Sequence, residues 1–446
     1  MDLAFFIASL IKIGLFFVIV LTFVAYSVYA ERRFSAIIQD RVGPNRTMIP
    51  TSILGMKNDI KLPLGGLTQP IADGLKFILK EDFTPSHVRK HFFWLAPCLT
   101  MVPSLITLAV IPFSSPVNVP GIEQPISMAI ADLNVGPLFI FAIASISVHG
   151  ITIAGWASNS KYPYIGGVRA SAQMISYEIA LGLSIIPVLL YFGDLNLGNI
   201  VQSQSSGGWL LLPLWNERGL IITSGYWEAG GLYQWILWVP MALAFIIFSI
   251  SIFAETNRTP FDLAECETEL VGGYHTEYSS MKFALFFLGE YAAMVIGSAL
   301  IVTLFLGGWS LPFGLDKALI SDNGAYPIWT LFIHMGCFLT KVTAFILFFI
   351  LVRWSIPRFR YDQLMKLGWV VFFELALINI FLTALLIANR EGALTGAPFL
   401  GALALLGVFS AFVFYLAKTL DNEIGAPKVK TGESSIEPEA AVTVES

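Results

Sequence analysis

Nine apolar runs divide the sequence, near residues 4–29, 92–113, 135–157, 172–192, 234–253, 281–306, 329–352, 368–388 and 398–418. Each is close to the ~20 residues that a helix needs to cross the hydrocarbon of a bilayer. Within hydrocarbon the backbone must satisfy its own N–H and C=O groups, so a single run of this length is expected to be helical. The expected fold is all-α, a polytopic transmembrane helix bundle of about nine spans. Composition agrees, since 13% of the residues are charged against ~25% in ordinary soluble domains.

The cations set the orientation. All but five of the 26 Lys and Arg fall in loops 30–91, 158–171, 254–281 and 353–367, at Lys282, or in the tail after Ala417. The positive-inside rule then puts those segments on the inner side and the N-terminus outside. The net charge of −5 says little, because the charges are sorted by side. The first run is too long for a signal-peptide core, opens Met1-Asp2 without basic residues and carries Lys12, so it is expected to be a retained anchor.

Within loop 30–91, Ile71, Ala72, Leu75, Ile78 and Leu79 fall on one helical stripe, with Asp73, Lys76 and Lys80 opposite and Pro70 at the start. This predicts an interfacial helix near 70–82 that lies on the membrane rather than crossing it. Segment 193–233, with its Gln/Ser/Gly run and Trp209, Trp215 and Trp227, reads as an irregular outer loop anchored at the headgroups. Residues 1–424 form the expected membrane domain, and the acidic tail 425–446 lacks any apolar period. Cys98, Cys266 and Cys337 lie far apart with no metal-ligand spacing and read as packing residues.

Between the fifth and sixth runs, Glu255, Asp262, Glu265, Glu267, Glu269 and Glu277 crowd one inner loop, and Glu290 follows about 13 Å into the sixth run. Arg258, Lys282 and His275 are the nearby counter-charges. Acids held this close repel one another, so some pKa values should rise and their titrations couple. Glu178, Glu374 and Lys341 also lie within spans. Intramembrane charge is costly, so such groups pair, neutralise or line water. A structural pair of Lys341 with Glu290 or Glu374 is one reading; a hydrated polar path starting under the acidic loop is the other. His149 and His334 read as helix–helix hydrogen-bond partners.

Two basic motifs close spans at the inner face: Glu31-Arg32-Arg33 followed by Gln39-Asp40-Arg41-Val42-Gly43-Pro44-Asn45-Arg46, and Pro357-Arg358-Phe359-Arg360-Tyr361-Asp362-Gln363. They suit simple anchoring, or specific docking to a partner subunit or a polar headgroup.

Five blocks in order carry a family likeness: ERRFSAIIQDRVGPNR at 31–46, QPIADGLKFILKED at 69–82, GGVRASAQMISYE at 166–178, ETNRTPFDLAECETELVGGYHTEY at 255–278 and PRFRYDQL at 357–364. Over roughly residues 5–390 the chain resembles the H-type membrane component of NADH–quinone oxidoreductase, respiratory complex I, whose mitochondrial counterpart is subunit 1. The resemblance implies that the inner end forms the mouth and floor of a ubiquinone or menaquinone tunnel, with Gln39, Arg41, Arg46, Asp73, Arg258, Phe261 and Asp262 at the quinone. It also implies that Glu178, Glu255, Glu265, Glu267, Glu277 and Glu290 line an acidic path into the membrane arm. Lys341 joins that path on its position alone, and Arg358, Arg360 and Asp362 are docking candidates. Phe373-Glu374 stands where the family commonly has Leu-Pro, so no role passes to Glu374 by resemblance.

The chain has no GxGxxG, P-loop or cysteine cluster, so FMN and Fe–S clusters are expected on partner subunits and no catalytic group on this chain alone. The expected partners are the peripheral quinone-site subunits of B and C/D type, the small membrane subunits of A, J and K type, and membrane lipid, with no nucleic acid. A bacterial inner membrane is the expected location, ahead of the mitochondrial one. Two rival readings remain: a subunit of a quinone-independent membrane-bound hydrogenase, and a stand-alone proton or cation transporter, although no repeat symmetry supports the latter.

Overall fold

In the computed structural model, residues 3–45, 47, 66–117, 126–212, 215–216, 219–220, 229–319, 326–390 and 398–424 are described. Arg46, Trp227, the tail from 425, and the side chains of Trp215 and Glu267 lie outside that description. The chain is an all-α bundle. Its helices are α1 (Leu3–Ile38), α2 (Gln69–Leu79), α3 (Lys90–Thr107), α4 (Gly136–Ala157), α5 (Lys161–Phe192), α6 (Leu197–Gly207), α7 (Ala229–Glu255), α8 (Glu267–Leu270), α9 (Ser280–Phe305), α10 (Thr330–Ser355), α11 (Tyr361–Lys366), α12 (Phe373–Arg390) and α13 (Pro398–Ile424). A two-residue antiparallel ladder pairs Trp215–Asn216 with Gly219–Leu220. Among the described residues, eight helical segments are long and apolar enough to cross a membrane: α1, α3, α4, α5, α7, α9, α10, and Tyr361–Asn389, in which a π-helical turn joins α11 to α12. The apolar stretch of α13, Leu400–Tyr415, is shorter.

Helix α9 runs through the middle. From Gly289 to Phe305 every residue except Ala293 is buried, against α1, α3, α6, α7 and α10. A residue on this helix is therefore surrounded by protein rather than lipid, which is why Glu290 can be held there.

Three boundaries differ from the sequence expectation. Helix α1 continues to Ile38, past the expected end near residue 29, and carries Glu31, Arg32 and Arg33 as helical residues. Helix α5 begins at Lys161, inside the segment 158–171 that hydropathy assigns to a loop. Its first turns are too polar for a hydropathy signal, but Pro163, Gly166, Gly167 and Ala170 are buried in protein contacts. Hydropathy reports exposure to lipid, and these turns do not depend on lipid to be helical. A Cβ on Gly166 would lie 2.9 Å from the Gly273 Cα, so glycine here lets the acidic loop sit directly on α5.

The third difference lies in segment 193–233, where α6 stands over Leu197–Gly207 in place of an irregular loop. Asn196 caps it, its Oδ1 accepting from Gly198 N at 2.8 Å and Asn199 N at 3.2 Å. Leu197, Ile200, Val201, Gln204 and Ser205 form the buried face at helical spacing. Two buried positions are polar, which hides the period. The interfacial helix stands near its expected place as α2, with Ile71, Ile78 and Leu79 exposed and Asp73 turned to Arg32 on α1 at 2.7 Å. His334 bridges elements, with Nδ1 2.8 Å from Ser115 Oγ and Nε2 3.2 Å from Asp316. His149 instead meets the Ser145 carbonyl of its own helix at 3.2 Å.

Candidate functional site

The acidic loop leaves α7 at Glu255, turns at Asn257 in the left-handed region (φ 49°) and passes through α8 and a short 3-10 turn at Gly273–His275 before α9. Gln173 of α5 holds the turn: its Nε2 donates to the carbonyls of Ala254 (2.7 Å) and Phe261 (2.8 Å) and lies 3.2 Å from Asn257 Oδ1. The segment after α10 lies alongside, Phe359 N donating to the Pro260 carbonyl at 3.2 Å. These contacts fix the loop so that its side chains meet charges from distant helices.

A continuous ionic chain results. Arg258, 6% exposed, has Nη1 3.5 Å from Glu31 and Nη2 3.8 Å from Glu290, with its guanidinium 4.1 Å from the centre of the Tyr291 ring. Glu31 also accepts from Tyr291 OH at 2.6 Å and pairs with Arg353 of α10. On the other side, Tyr274 OH donates to Glu290 at 2.6 Å and lies 3.2 Å from Glu265, and His275 Nδ1 is 3.6 Å from Glu265. The order is Arg353, Glu31, Arg258, Glu290, Tyr274, Glu265, His275. At an effective dielectric of ~20, a unit pair at these separations attracts by roughly 4–5 kcal/mol before desolvation is counted. Burial takes back much of that, so the chain is stable only while opposite charges alternate or acids carry protons.

The loop acids respond to this setting. Burial raises the Glu265 carboxyl, and the nearby Asp262 adds to the rise, while hydrogen bonding with Glu290 and the charge of Arg258 oppose it. Burial pushes Asp262 up to about 6 against the pull of Arg358, which donates to its Oδ2 at 2.9 Å. Tyr274 is held well above the ordinary phenol range by burial and then by the charges of Glu290 and Glu265, so it stays a donor. Glu265 and Glu290 thus meet at one phenol hydroxyl, an arrangement that suits two carboxyls holding one proton between them.

A second acid group lies deeper along α5. Ser145 of α4 donates to Glu178, and Glu178 acts electrostatically on Glu255 at the end of α7. Glu255 lines a cavity of about 40 Å³ together with Ser104, Thr107 and Ser147, above the ~10–15 Å³ that one water needs. On the opposite side of the loop, Pro260 and Phe261 floor a cavity of about 710 Å³ whose walls include Phe253, Phe348 and Phe372. Phe261 is buried between Tyr177 and Phe359.

The remaining sequence candidates spread out. Gln39 and Arg41 are exposed just past the end of α1, Asp73 on α2 pairs with Arg32 of α1 instead, and Arg46 is outside the described residues. Glu277 is 3.9 Å from His87, and Glu267 is placed only by the backbone of α8. Arg358, Arg360 and Asp362 are all exposed, and of the three Arg358 reaches Asp262 (2.9 Å) and Cys266 Sγ (2.8 Å). Lys341 lies apart from Glu290 and the loop acids: it donates to the carbonyls of Leu306 (2.8 Å), Gly308 (2.9 Å) and Ser310 (2.7 Å) beyond the end of α9 and lies over Trp209. Leu306 is about 24 Å along the α9 direction from Glu290.

Sequence reasoning missed Glu31, Arg353, Tyr274 and Tyr291. The first two read as interface charges, because a single acid among arginines at a span end is ordinary. Their one signal was the burial implied by a helix that continues past the span.

The chain matches the family profile described as NADH dehydrogenase over residues 11–384, which includes the whole ionic chain. It is 44% identical over 371 residues to an H-type subunit of the NADH-quinone oxidoreductase of Cytophaga hutchinsonii, covering 82% of this chain and 93% of that protein. It is 44% identical over 381 residues to an H-type subunit of the Geobacter metallireducens enzyme (85% and 97% covered). To the H-type subunit of the Flavobacterium johnsoniae enzyme it is 40% identical over 394 residues (88% and 98% covered).

Proposed function

Because this chain belongs to the NADH dehydrogenase family and resembles the H-type subunits of NADH–quinone oxidoreductases over most of its length, we propose that it couples quinone reduction to proton translocation as a multi-pass membrane subunit of such a complex. The quinone, ubiquinone or menaquinone, would enter at the inner ends of α1, α2 and α9, beside Gln39, Arg41 and Asp73. Its reduction would change the charge felt by Arg258, Phe261 and Asp262. FMN and Fe–S clusters would sit on peripheral partners, with Arg360 and Asp362 part of the docking face. The membrane would be a bacterial inner membrane with the N-terminus outside.

The observation that carries this reading is the unbroken run from Arg353 and Glu31 through Arg258 to Glu290 and Glu265. A negative charge arriving near Arg258 competes with Glu290 for that guanidinium. Glu290 then retains or takes a proton, and its carboxyl partner Glu265 shifts with it. Glu255, beside a water-sized cavity, and Glu178, which acts on it electrostatically, offer the next acceptors. A two-unit change in one carboxyl is worth about 2.7 kcal/mol, within the ~1–3 kcal/mol typical of coupling between sites.

The test is Glu290→Gln in the assembled complex, reconstituted in vesicles. Electron transfer to quinone should persist while the number of protons moved per electron falls to less than half. Full pumping in that variant would overturn the reading.

A further inference from the structure

We infer that Gln173 is a positioning residue through which the quinone-facing turn of the loop is coupled to the acids of the path; this rests on the proposed function above. Gln173 has no exposed surface. The carboxamide nitrogen has two hydrogens to donate, and its two shortest contacts are the carbonyls of Ala254 (2.7 Å) and Phe261 (2.8 Å). One of those carbonyls belongs to the peptide bond entering Glu255, the other to the peptide bond entering Asp262. One amide therefore ties the start of the turn, at a path acid, to its end, at a quinone candidate.

The network orients the amide, since reversing it would place Oε1 against the carbonyls of Ala254 and Phe261, which cannot donate. Arg258 projects from the clasped turn to Glu31 and Glu290. On α5, Glu178 follows Gln173 by about 7–8 Å along the helix, and Tyr177, packed on Phe261, fastens the helix to the Leu364 carbonyl at 2.9 Å. Displacing the turn must therefore stretch the clasp or pull α5, moving Glu255 and Glu178 relative to each other. A Gln serving packing alone would not need both carbonyls.

The experiment uses the whole complex carrying Gln173→Met, which keeps the length and removes the donors. Quinone reduction should stay within about twofold of the parent, while protons moved per electron fall by half or more. An unchanged ratio in the assembled variant overturns the assignment. Glu290→Gln, measured in parallel, separates the two ideas: if it lowers pumping and Gln173→Met does not, only the clasp falls, and if Glu290→Gln pumps fully the function reading falls first. Should Gln173→Met fail to assemble, Gln173→Glu supplies the second readout. Its protonated form donates one hydrogen bond and its ionised form none, so its proton-to-electron ratio, relative to the parent, should rise as pH falls from about 8 to about 6. A flat profile overturns the assignment.

Discussion

Tyr274 reaches from the loop to Glu290, within α9, with a 2.6 Å hydrogen bond, and it holds Glu265 at 3.2 Å by the same hydroxyl. A phenol that keeps its proton is the neutral link between buried Glu290 and partly buried Glu265, with no cation between them. Removing only the hydroxyl, in Tyr274→Phe, should cost about 1.5–3 kcal/mol of that arrangement. The complex should assemble, while protons pumped per electron decline. A ratio equal to the parent's would show that Glu290 does not need the bridge.

Arg258 separates Glu31 from Glu290, and each is buried. Arg258→Met leaves two carboxylates facing each other without their common cation, a change worth about 3–5 kcal/mol of destabilisation. Less assembled complex on native gels and a lower Tm are the expected results. Adding Glu31→Gln should restore part of the loss, and strictly additive effects would contradict direct coupling of the two.

Asp262 titrates near 6 because of burial, above the ordinary Asp value of ~3.9. The docked loop therefore binds the proton more tightly than the undocked one. Its stability is fully present below about pH 4 and is lost as pH rises through about 6, by ~3 kcal/mol in all. Protection factors of the backbone around residues 258–266, which correct exchange for its intrinsic base catalysis, should be lower at pH 7 than at pH 5. Asp262→Asn should abolish that step, and a step surviving in the variant would assign it to another group.

Lys341 donates to three carbonyls just past the C-terminal end of α9. Lys341→Met would strand those acceptors in a protein interior, costing about 1–3 kcal/mol for each one left unsatisfied. The expected consequence is a lower Tm of the complex. An unchanged Tm with reduced proton pumping would instead place Lys341 on the path.

Much of this was legible from residue order. The apolar runs matched the helices because lipid burial acts on each segment by itself, and the length of α2 followed from its local period. The π-helical turn at Leu367–Phe372 was not legible, nor were the polar first turns of α5, because protein contacts hold them in place of lipid. Polarity inside the buried face of α6 concealed that helix for the same reason.

The sequence by itself determined a membrane bundle, the loops in which its cations gather, and the crowd of acids between α7 and α9, since hydrophobicity and charge are properties of neighbours in the chain. Only the tertiary structure decided which charges meet. Glu31 and Arg353 lie 322 positions apart, and Glu31 and Tyr291 lie 260 apart. They touch because α1, α9 and α10 converge at these residues, and electrostatic pairing depends on that distance in space, which no separation along the chain reports.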